Sequence, residues 1–398
     1  MAMVQIDGFL RKRCRRTAVN AAWVLILSFG FSGCSKEKAF KDVYRIGALM
    51  VLSGNDANYG RDSQRGIDLA AEEINNQGGI HGHPVEVLYE DSKGIPREGA
   101  TAMQKLVSRD RVPVVIGGIF SSETLAAAPI AERNRVVLFS PGSSSPNITY
   151  AGDCIFRNWI SDAFEGSIMA DFARWGKGYT KVAIVYIKND YGEGLKNEFT
   201  VRFESEGGQV STMESYEQGN TDFRTQLLKA VRSGPDAIYL PGYYNELAQL
   251  LKQARELRIN TQFLSVVSFE DPKMLELAGS AAEGVIYSTP AVSMQDTSSG
   301  VRTFVDRFSK KYGREPGLFA AHGYDAMHIL ALAIEKGGFT ADGIRNSLYR
   351  IQNYPGVSGL TSFDSNGDVI KPVKLKTVRN GKFMDYDEPS VSPFAPEG

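Results

Sequence analysis

The sequence predicts an α/β protein of two lobes, each a parallel β-sheet flanked by helices. Apolar runs rich in Val and Ile alternate along the chain with amphipathic stretches, a pattern typical of βαβ units. The alternation restarts after about residue 170. The chain has 398 residues, which is long for one hydrophobic core and suits two. Together these observations indicate an α/β fold in two parts.

The elements fall into two series. The first contains predicted strands at 44–50, 85–89, 112–116 and 136–139, and predicted helices at 60–76, 97–108 and 122–134. The second contains predicted strands at 181–187, 210–216, 237–240 and 262–267, and predicted helices at 192–206, 222–232 and 246–257. Continuous apolar strands such as 182–185 favour parallel sheets, because both faces of a parallel sheet are covered.

The last part of the chain does not continue as a simple tandem. A predicted strand at 285–288 is followed by a long helical region at 301–336, and the segment 363–369 is typical of a hairpin turn with its flanks. A chain that returns to the first lobe and finishes on the second explains this order. We therefore predict a first lobe of 43–160 and 291–356, a second lobe of 161–290 and 357–398, and crossings near 157–162, 288–293 and 355–361.

The composition excludes several classes of protein. With 42% apolar and 23% charged residues, the chain matches neither a disordered protein nor a polytopic membrane protein. The formal charge of −1 provides no basic surface for nucleic acid. We therefore expect a globular protein that acts on something small.

The sequence offers little material for catalysis or metal binding. Three cysteines and four histidines supply no disulfide framework and few metal ligands. There is no nucleophile elbow, Walker loop or zinc-protease motif. The segment 364–368 resembles half a calcium loop but lacks the acidic residue at the twelfth position, and a hairpin turn explains it equally well. We expect no enzyme activity, no metal and no cofactor.

The first 34 residues are typical of an export signal. Basic residues at 11–16 precede an apolar stretch at 18–31, which at roughly 14 residues is too short to cross a hydrocarbon core of about 30 Å. The stretch runs into Phe31-Ser32-Gly33-Cys34, which resembles the bacterial lipobox with Phe31 in place of the usual Leu. We expect cleavage of 1–33 and a lipid on Cys34, with 34–42 as a tether. An ordinary signal peptide, or a short anchor with an incidental cysteine, is the alternative.

A series of short sequence phrases carries a resemblance to a known family. The phrases are at 46–54, 59–60, 66–75, 77–82, 89–91, 115–118, 121–122, 139–142, 190–194 and 242–244. In this order and spacing the chain resembles the type I periplasmic binding proteins, and most closely their branch of branched-chain amino acid and amide-binding lipoproteins of ABC transporters (the leucine/isoleucine/valine-binding type). The resemblance implies two Rossmann-like lobes joined by three hinge crossings, a small ligand in the cleft, and delivery to an ABC permease.

Ser121 is the first candidate for contact with the ligand. It lies in a loop between a predicted strand and a predicted helix, and parallel α/β lobes bind ligands at the carboxyl ends of their strands. Free N–H groups at a helix start, together with a hydroxyl, suit a carboxylate. We expect Ser121 to contact an anionic group, and either Ser121 or Ser122 to cap the helix.

Five further candidates follow from the resemblance. Gly142 and Ser144 match positions that offer a backbone carbonyl and a hydroxyl to the amino and carboxylate ends of the ligand. Tyr59 matches the aromatic residue that covers the bound side chain from the first loop, and Tyr191 and Tyr243 match aromatic residues of the second lobe. Each of the five can instead be a turn or packing residue.

One position departs from the family. The leucine-type binders have a glutamate that pairs with the ligand's ammonium where this chain has Val267. A buried ammonium without an anion is costly. Three alternatives stay open: Glu270 reaches the ligand from a shifted loop, Asp162 at the first crossing pairs with the ammonium or only caps a helix, or the ligand has no ammonium.

The resulting prediction is a monomeric solute-binding lipoprotein on the periplasmic face or surface of a bacterial cell. It is expected to touch the membrane only through its lipid, to bind no nucleic acid, and to close its lobes on an amino acid, an amide or a small carboxylate. Closure would then be the signal that the permease reads. A sensing receptor with the same fold is the alternative.

Overall fold

The computed structural model describes residues 42–386 except residues 293 and 295. The predicted signal peptide (1–33), the predicted lipidation site Cys34 and nearly all of the predicted tether therefore lie outside the described residues. Within 42–386, with those two gaps, no helix is both long enough and apolar enough to span a bilayer.

The first sheet of the described chain has five parallel strands. In chain order they are β1 (Tyr44–Met50), β2 (Val85–Asp91), β3 (Val114–Gly117), β4 (Val137–Ser140) and β5 (Ile155–Arg157). Their spatial order is β2-β1-β3-β4-β5. The helices α1 (Ala57–Asn76), α2 (Pro96–Ser108) and α3 (Ser121–Asn134) connect the first four strands.

The second sheet has seven strands in the described residues. They are β6 (Lys181–Ile187), β7 (Gln209–Tyr216), β8 (Ala237–Leu240), β9 (Gln262–Ser265), β10 (Ile286–Pro290), β13 (Val373–Arg379) and β14 (Lys382–Asp385). Their order is β14-β13-β10-β9-β8-β6-β7, with only β13 and β14 antiparallel to their neighbours. A separate two-stranded sheet pairs β11 (Tyr354–Gly356) with β12 (Gly359–Thr361). The prediction of two parallel α/β sheets is confirmed.

The remaining helices cover the second sheet or return to the first. They are α4 (Asp162–Asp171), α5 (Asp190–Ser205), α6 (Arg224–Arg232), α7 (Tyr244–Glu256), α8 (Pro272–Ala278), α9 (Ser299–Tyr312), α10 (Leu318–Gly337) and α11 (Ala341–Leu348). The predicted helical region 301–336 is thus two helices. α9 stops at Gly313, whose φ of 67° suits glycine at a helix end, and a short loop then leads into α10.

The elements around the first sheet are called the first lobe here, and those around the second sheet the second lobe. In the first lobe α1 and α10 pack so closely that only glycine fits at Gly66 and Gly323. A Cβ on Gly66 would lie 2.0 Å from the Ala320 carbonyl oxygen, and a Cβ on Gly323 would lie 2.4 Å from the Ser63 carbonyl oxygen. In the second lobe the apolar run Val182–Val185 is fully buried in the sheet. The close helix contact matters for the site, since α1 and α10 each send an aromatic side chain into it.

The chain crosses between the lobes three times in the described residues. The first crossing connects β5 to α4, and the second lies between β10 and α9. After β12 the chain still packs on the first lobe, since the ring centre of Phe363 lies 5.6 Å from those of Phe139 and Phe156. It joins the second sheet only at Val373. The third crossing therefore lies later than the predicted 355–361, because the aromatic contacts hold this segment against the first sheet.

Candidate functional site

A cavity lies between the lobes at the carboxyl ends of both sheets, the place where parallel α/β lobes bind ligands. The space between its lining atoms, with the open mouth included, is about 300 Å³. Its lining consists of Tyr59, Ile119, Phe120, Ser121, Gly142, Ser144, Trp159, Tyr191, Tyr243, Val267, Ser268 and Phe319. Six of the eight predicted ligand contacts are therefore brought together in one place.

The hydroxyl group of Ser121 is held at the polar end of the cavity. Its oxygen accepts hydrogen bonds from the backbone N–H groups of Ser144, at 3.3 Å, and Ser145, at 3.1 Å. With both lone pairs occupied, the hydroxyl proton is left to donate to an acceptor in the cavity. Ser121 is also the first residue of α3, where the first N–H groups of a helix have no partner within it.

Neither serine caps α3, which corrects the expectation from the sequence. The Ser122 hydroxyl instead donates to Asp190 Oδ2, at 2.6 Å, in the second lobe. The start of the helix is held by Glu123, whose Oε1 accepts the N–H groups of Ile119, at 2.6 Å, and Phe120, at 3.0 Å. Burial raises the pKa of the Glu123 carboxyl to about 7, against the lowering effect of these hydrogen bonds. The serine hydroxyls are thereby released for other contacts.

The loop that carries Gly142 and Ser144 is held in place by Arg157. This fully buried guanidinium donates from Nη1 to the carbonyl oxygens of Ser144, at 3.0 Å, and Ser145, at 2.9 Å. On its other side Nε lies 2.7 Å from Asp368 Oδ1, and Nη2 donates to Asp368 Oδ2 at 2.7 Å. Arg157 therefore fixes the position of two carbonyl groups beside the ligand site.

The turn that contains Asp368 is thus part of the support of the site. Its first residue, Asp364, accepts the N–H groups of Asn366, at 2.8 Å, and Asp368, at 2.9 Å, through Oδ1. The acidic side chains of the turn bind the backbone of the turn and Arg157. Across the described ranges no group of His, Cys, Asp or Glu side chains is arranged to hold a metal ion.

Aromatic rings form most of the remaining wall. The ring of Tyr243 stacks between Phe120, with ring centres 4.2 Å apart, and Tyr191, with ring centres 5.3 Å apart. The ring centre of Phe319 lies 4.8 Å from that of Tyr59 and 4.7 Å from that of Trp159. The two groups of rings give the cavity an apolar body opposite its serine-rich end.

Three of these aromatic residues are not among the residues predicted from the sequence. Phe120 directly precedes Ser121, Trp159 lies in the predicted first crossing, and Phe319 is near the start of α10. The position of Phe120 beside a strand end, and that of Trp159 in a crossing, could have identified them from the sequence as lining residues. Phe319 offers no such signal, because it lies within a region predicted as one long helix.

Two predicted contacts do not line the cavity. The Glu270 carboxylate pairs with Lys376 of β13 and faces a different cleft. Asp162 is the first residue of α4 and is completely buried behind the lining; its N–H donates to the Ser144 carbonyl at 2.8 Å. It does not cap α4, since Ser161 does so by accepting the N–H of Ala163. No acidic side chain is among the described lining residues.

A second buried acid, Glu165, lies one turn further along α4. Its Oε1 accepts the N–H of Val267, at 2.7 Å, and the hydroxyl of Ser288, at 2.8 Å. Burial raises the pKa of Glu165 to about 7. Burial and the neighbouring Glu165 also raise the pKa of Asp162, against smaller lowering effects from Ser144 and Arg157. An acidic pair therefore stands behind Val267, on the side away from the cavity.

The two lobes are in contact around the cavity. The Tyr59 hydroxyl donates to the carbonyl of Ser268, at 2.6 Å, and accepts the N–H of Tyr244, at 3.0 Å. Asn58 Nδ2 donates to Asp271 Oδ2 at 2.6 Å. These contacts and the Ser122 bond to Asp190 connect α1 and α3 of the first lobe to the second, so the cleft is closed in this structure.

Comparison with known proteins finds a family model and a relative that are similar to this chain over most of its length. A family model described as "Periplasmic binding protein" matches residues 43–382. The chain is 28% identical over 347 residues to a leucine-, isoleucine-, valine-, threonine- and alanine-binding protein of Pseudomonas aeruginosa, covering 87% of this chain and 92% of that one.

Two solved structures of binding proteins are also similar to this chain. The crystal structure of a leucine-binding protein from Thermotoga maritima has 34% identity and a TM-score of 0.82, and the match covers 86% of this chain and 98% of that one. A solute-binding protein of an ABC transporter from Rhodopseudomonas palustris, in complex with 3,4-dihydroxybenzoic acid, has 25% identity and a TM-score of 0.77, over 87% of this chain and 96% of that one.

Proposed function

The chain belongs to the periplasmic binding protein family, and from this membership we propose that its cleft captures a small carboxylate with an apolar body for an ABC importer. The single observation that carries the choice of ligand is the division of the cavity into a serine-rich end and an aromatic wall. Relatives whose names specify a ligand bind leucine in one case and 3,4-dihydroxybenzoic acid in another. Both ligands combine a carboxyl group with an apolar body.

The polar end supports a carboxylate as the head group. Ser121 has a proton to donate, and the unpaired N–H groups at the start of α3 lie beside it. The helix dipole adds a partial positive charge of about half an elementary charge at this point. Ser144 is held beside Ser121 by Arg157, which places a second serine at this end of the cavity. We propose Ser121, Gly142 and Ser144 as the contacts of the head group.

The aromatic wall supports an apolar body. Tyr59, Phe319 and Trp159 enclose it from the first lobe and the first crossing, and Tyr191 and Tyr243 from the second lobe. Ring walls of this kind pack equally well on a branched aliphatic chain or on an aromatic ring.

Binding and lobe closure are one equilibrium in this proposal. An open form would expose the serine-rich end, and closure would bring the tyrosines of the second lobe onto the ligand and exclude water. The lobes would move about the three crossings. We propose a monomer without enzyme activity that offers its closed face to the permease, with lobe limits as predicted except that residues up to about Asp368 stay with the first lobe.

The membrane attachment is a separate part of the proposal. Because the lipobox-like phrase ends in Cys34, we expect Cys34→Ala to move the exported protein from the membrane fraction to the soluble fraction. Fractionation with and without detergent measures this. If the variant still needs detergent for extraction, the lipid on Cys34 is not the anchor.

The ligand proposal is tested with a panel of matched compounds by isothermal titration calorimetry on the protein from residue 35 onward. The panel contains L-leucine, its amine-free analogue 4-methylpentanoate, its carboxylate-free analogue leucinamide, and benzoate. We expect at least one of the three carboxylates to bind in the micromolar range or tighter, and leucinamide to bind at least tenfold more weakly than L-leucine. Binding of leucinamide alone would contradict the carboxylate as the recognised group.

A further inference from the structure

Two buried acids with no counter-ion lie directly behind the ligand cavity. Asp162 and Glu165 are three residues apart on α4, on neighbouring turns, and both are completely buried. In the described part of the chain no Lys or Arg forms an ion pair with either. One oxygen of Glu165, Oε2, is buried and accepts no hydrogen bond from a described residue.

The pair is in contact with the cavity through three of its lining residues. Glu165 accepts the N–H of Val267. Asp162 is beside Ser144, whose carbonyl takes the Asp162 N–H and whose hydroxyl lowers the pKa of the acid. Tyr191 feels the charge of both acids, which raise the pKa of its hydroxyl after burial does. The pair is therefore separated from the cavity by its lining residues alone, two of which it contacts directly.

Among the other described groups that face the pair, none is a cation that is free to pair with it. They are Arg157 on β5, Tyr191 and Glu198 on α5, Tyr239 on β8, Ser288 on β10, and the loop residues Ser144 and Val267. The only cation in this set is Arg157, and its guanidinium is already paired with Asp368 and bonded to two carbonyl groups. Glu198 adds negative charge. Two carboxylates in such a place cannot both be ionised at little cost, so the pair retains a proton.

From this arrangement, and resting on the proposed function, we infer that the Asp162–Glu165 pair releases a proton when a ligand brings an ammonium group and keeps it when the ligand has none. The pair then becomes a counter-ion only when the bound ligand carries an ammonium group. The pair that keeps its proton accepts an amine-free carboxylate, and the pair with one proton fewer accepts an amino acid in the same cavity. Asp162 and Glu165, which lie behind the lining, thus determine which ligand charge is accepted. Val267 itself contributes only an apolar surface and its N–H.

The sign of the pH dependence follows from this exchange. A cation that binds beside the pair lowers its proton affinity, so an amino acid binds more tightly as the pH rises toward the pKa of the free pair. Burial places the pKa of Glu165 at about 7, which sets the useful range at pH 5.5 to 7.5. Release of one proton corresponds to at most a tenfold gain in affinity per pH unit. An amine-free carboxylate gains nothing of this kind.

The test counts protons directly. L-leucine and 4-methylpentanoate are titrated into the wild-type protein in two buffers of different ionisation enthalpy, at pH 5.5, 6.5 and 7.5. We expect L-leucine to release up to one proton per site and to bind more tightly at each step of pH, with 4-methylpentanoate showing neither effect. Equal proton counts for the two ligands, or exclusion of L-leucine at every pH while the analogue binds, would overturn the inference.

Variants assign the proton to the pair. Glu165→Gln and Asp162→Asn, tested separately, should each reduce the proton release on L-leucine binding and weaken it about tenfold at pH 7.5, with 4-methylpentanoate changed less than twofold. Glu204→Gln, on the exposed face of α5, is the matched control and should change nothing. Proton release that persists in both pair variants would place its source elsewhere and overturn the inference. If no carboxylate binds the wild type at all, the proposed function fails before this question arises.

Discussion

At the scale of single residues, the site depends on side chains that hold backbone groups in place. Ser121 accepts two N–H groups of the neighbouring loop, and Arg157 binds two of its carbonyl groups. Both therefore hold the loop that lies beside the proposed ligand site. The sequence alone predicted Ser121 as a ligand contact, since a serine at a strand-to-helix loop is a readable pattern. It did not predict Arg157, because its partner Asp368 is 211 residues away in the chain.

Ser121→Ala should weaken ligand binding about tenfold, since it removes a hydrogen bond to a charged group. It should also lower the free energy of unfolding by about 1–3 kcal/mol, because two buried N–H groups lose their acceptor. Titration calorimetry and denaturant unfolding measure the two effects. Ser108→Ala, at the exposed end of α2, is the control. An unchanged dissociation constant would remove Ser121 from the ligand site.

Asp368→Ala should cost about 3–5 kcal/mol of unfolding free energy, because it leaves the buried Arg157 guanidinium without its carboxylate. Glu86→Ala breaks an exposed pair with Arg45 and should cost less than about 1 kcal/mol. Chemical denaturation of the two variants gives the comparison. Similar small losses in both would mean that the Arg157 pair does not support the site.

At the scale of secondary-structure elements, the sequence predicts β1–β4, β6–β10 and the longer helices. It does not predict β5, β11–β14, α8, α11 or, most relevant to the site, α4. The first turn of α4 buries the acids Asp162 and Glu165 and exposes the aromatic Phe164, although Met169 and Ala170 further along are buried. Hydrophobic periodicity assigns apolar residues to the inside and therefore misses such a helix. The helix α8 is short, and the break between α9 and α10 is hidden by apolar residues on both sides. The helix that carries the buried acids is thus the one least readable from the sequence.

The buried acid on α4 should make stability fall with rising pH. Burial raises the pKa of Glu165 from its ordinary 4.5 to about 7, so the folded chain holds this proton more tightly than the unfolded chain. The stabilising contribution is complete below pH 4.5 and is lost as the pH rises to about 7, with a slope of at most about 1.4 kcal/mol per pH unit.

The variant Glu165→Gln isolates this effect from other titrating groups. Burial lowers the pKa of His322, which opposes the trend below pH 6.5, so the comparison is between wild type and variant. Unfolding free energies of the ligand-free proteins at pH 5.5 and 7.5 should show that the wild type loses more stability than Glu165→Gln. Equal losses in the two proteins would show that Glu165 titrates normally.

At the scale of the whole molecule, the closed cleft is held by contacts between residues far apart in the chain. Tyr59 bridges to the loop after β9 and to the start of α7, and Ser122 bridges to the start of α5. The two-lobed architecture was predictable from the repeated βαβ alternation. The position of the third crossing was not, since it depends on how Phe363 packs against the first sheet.

Tyr59→Phe should favour the open form and weaken ligand binding threefold to tenfold, because the hydroxyl makes two hydrogen bonds that exist only in the closed form. Tyr312→Phe removes a hydroxyl that bonds to Arg65 within the first lobe and should leave affinity unchanged. Titration calorimetry gives the affinities, and small-angle scattering gives the radius of gyration. A loss of affinity in Tyr312→Phe equal to that in Tyr59→Phe would argue against a role in closure.

We propose above all that the serine-rich end of a closing cleft holds a carboxylate. A crystal structure of the protein with the tightest binder of the carboxylate panel tests it most directly. We expect closed lobes, a carboxylate oxygen within 2.5–3.2 Å (roughly the hydrogen-bond range) of Ser121 Oγ, and the apolar body against Tyr191 and Tyr243. A ligand whose carboxylate points away from Ser121 and Ser144, or one bound outside this cavity, would contradict it.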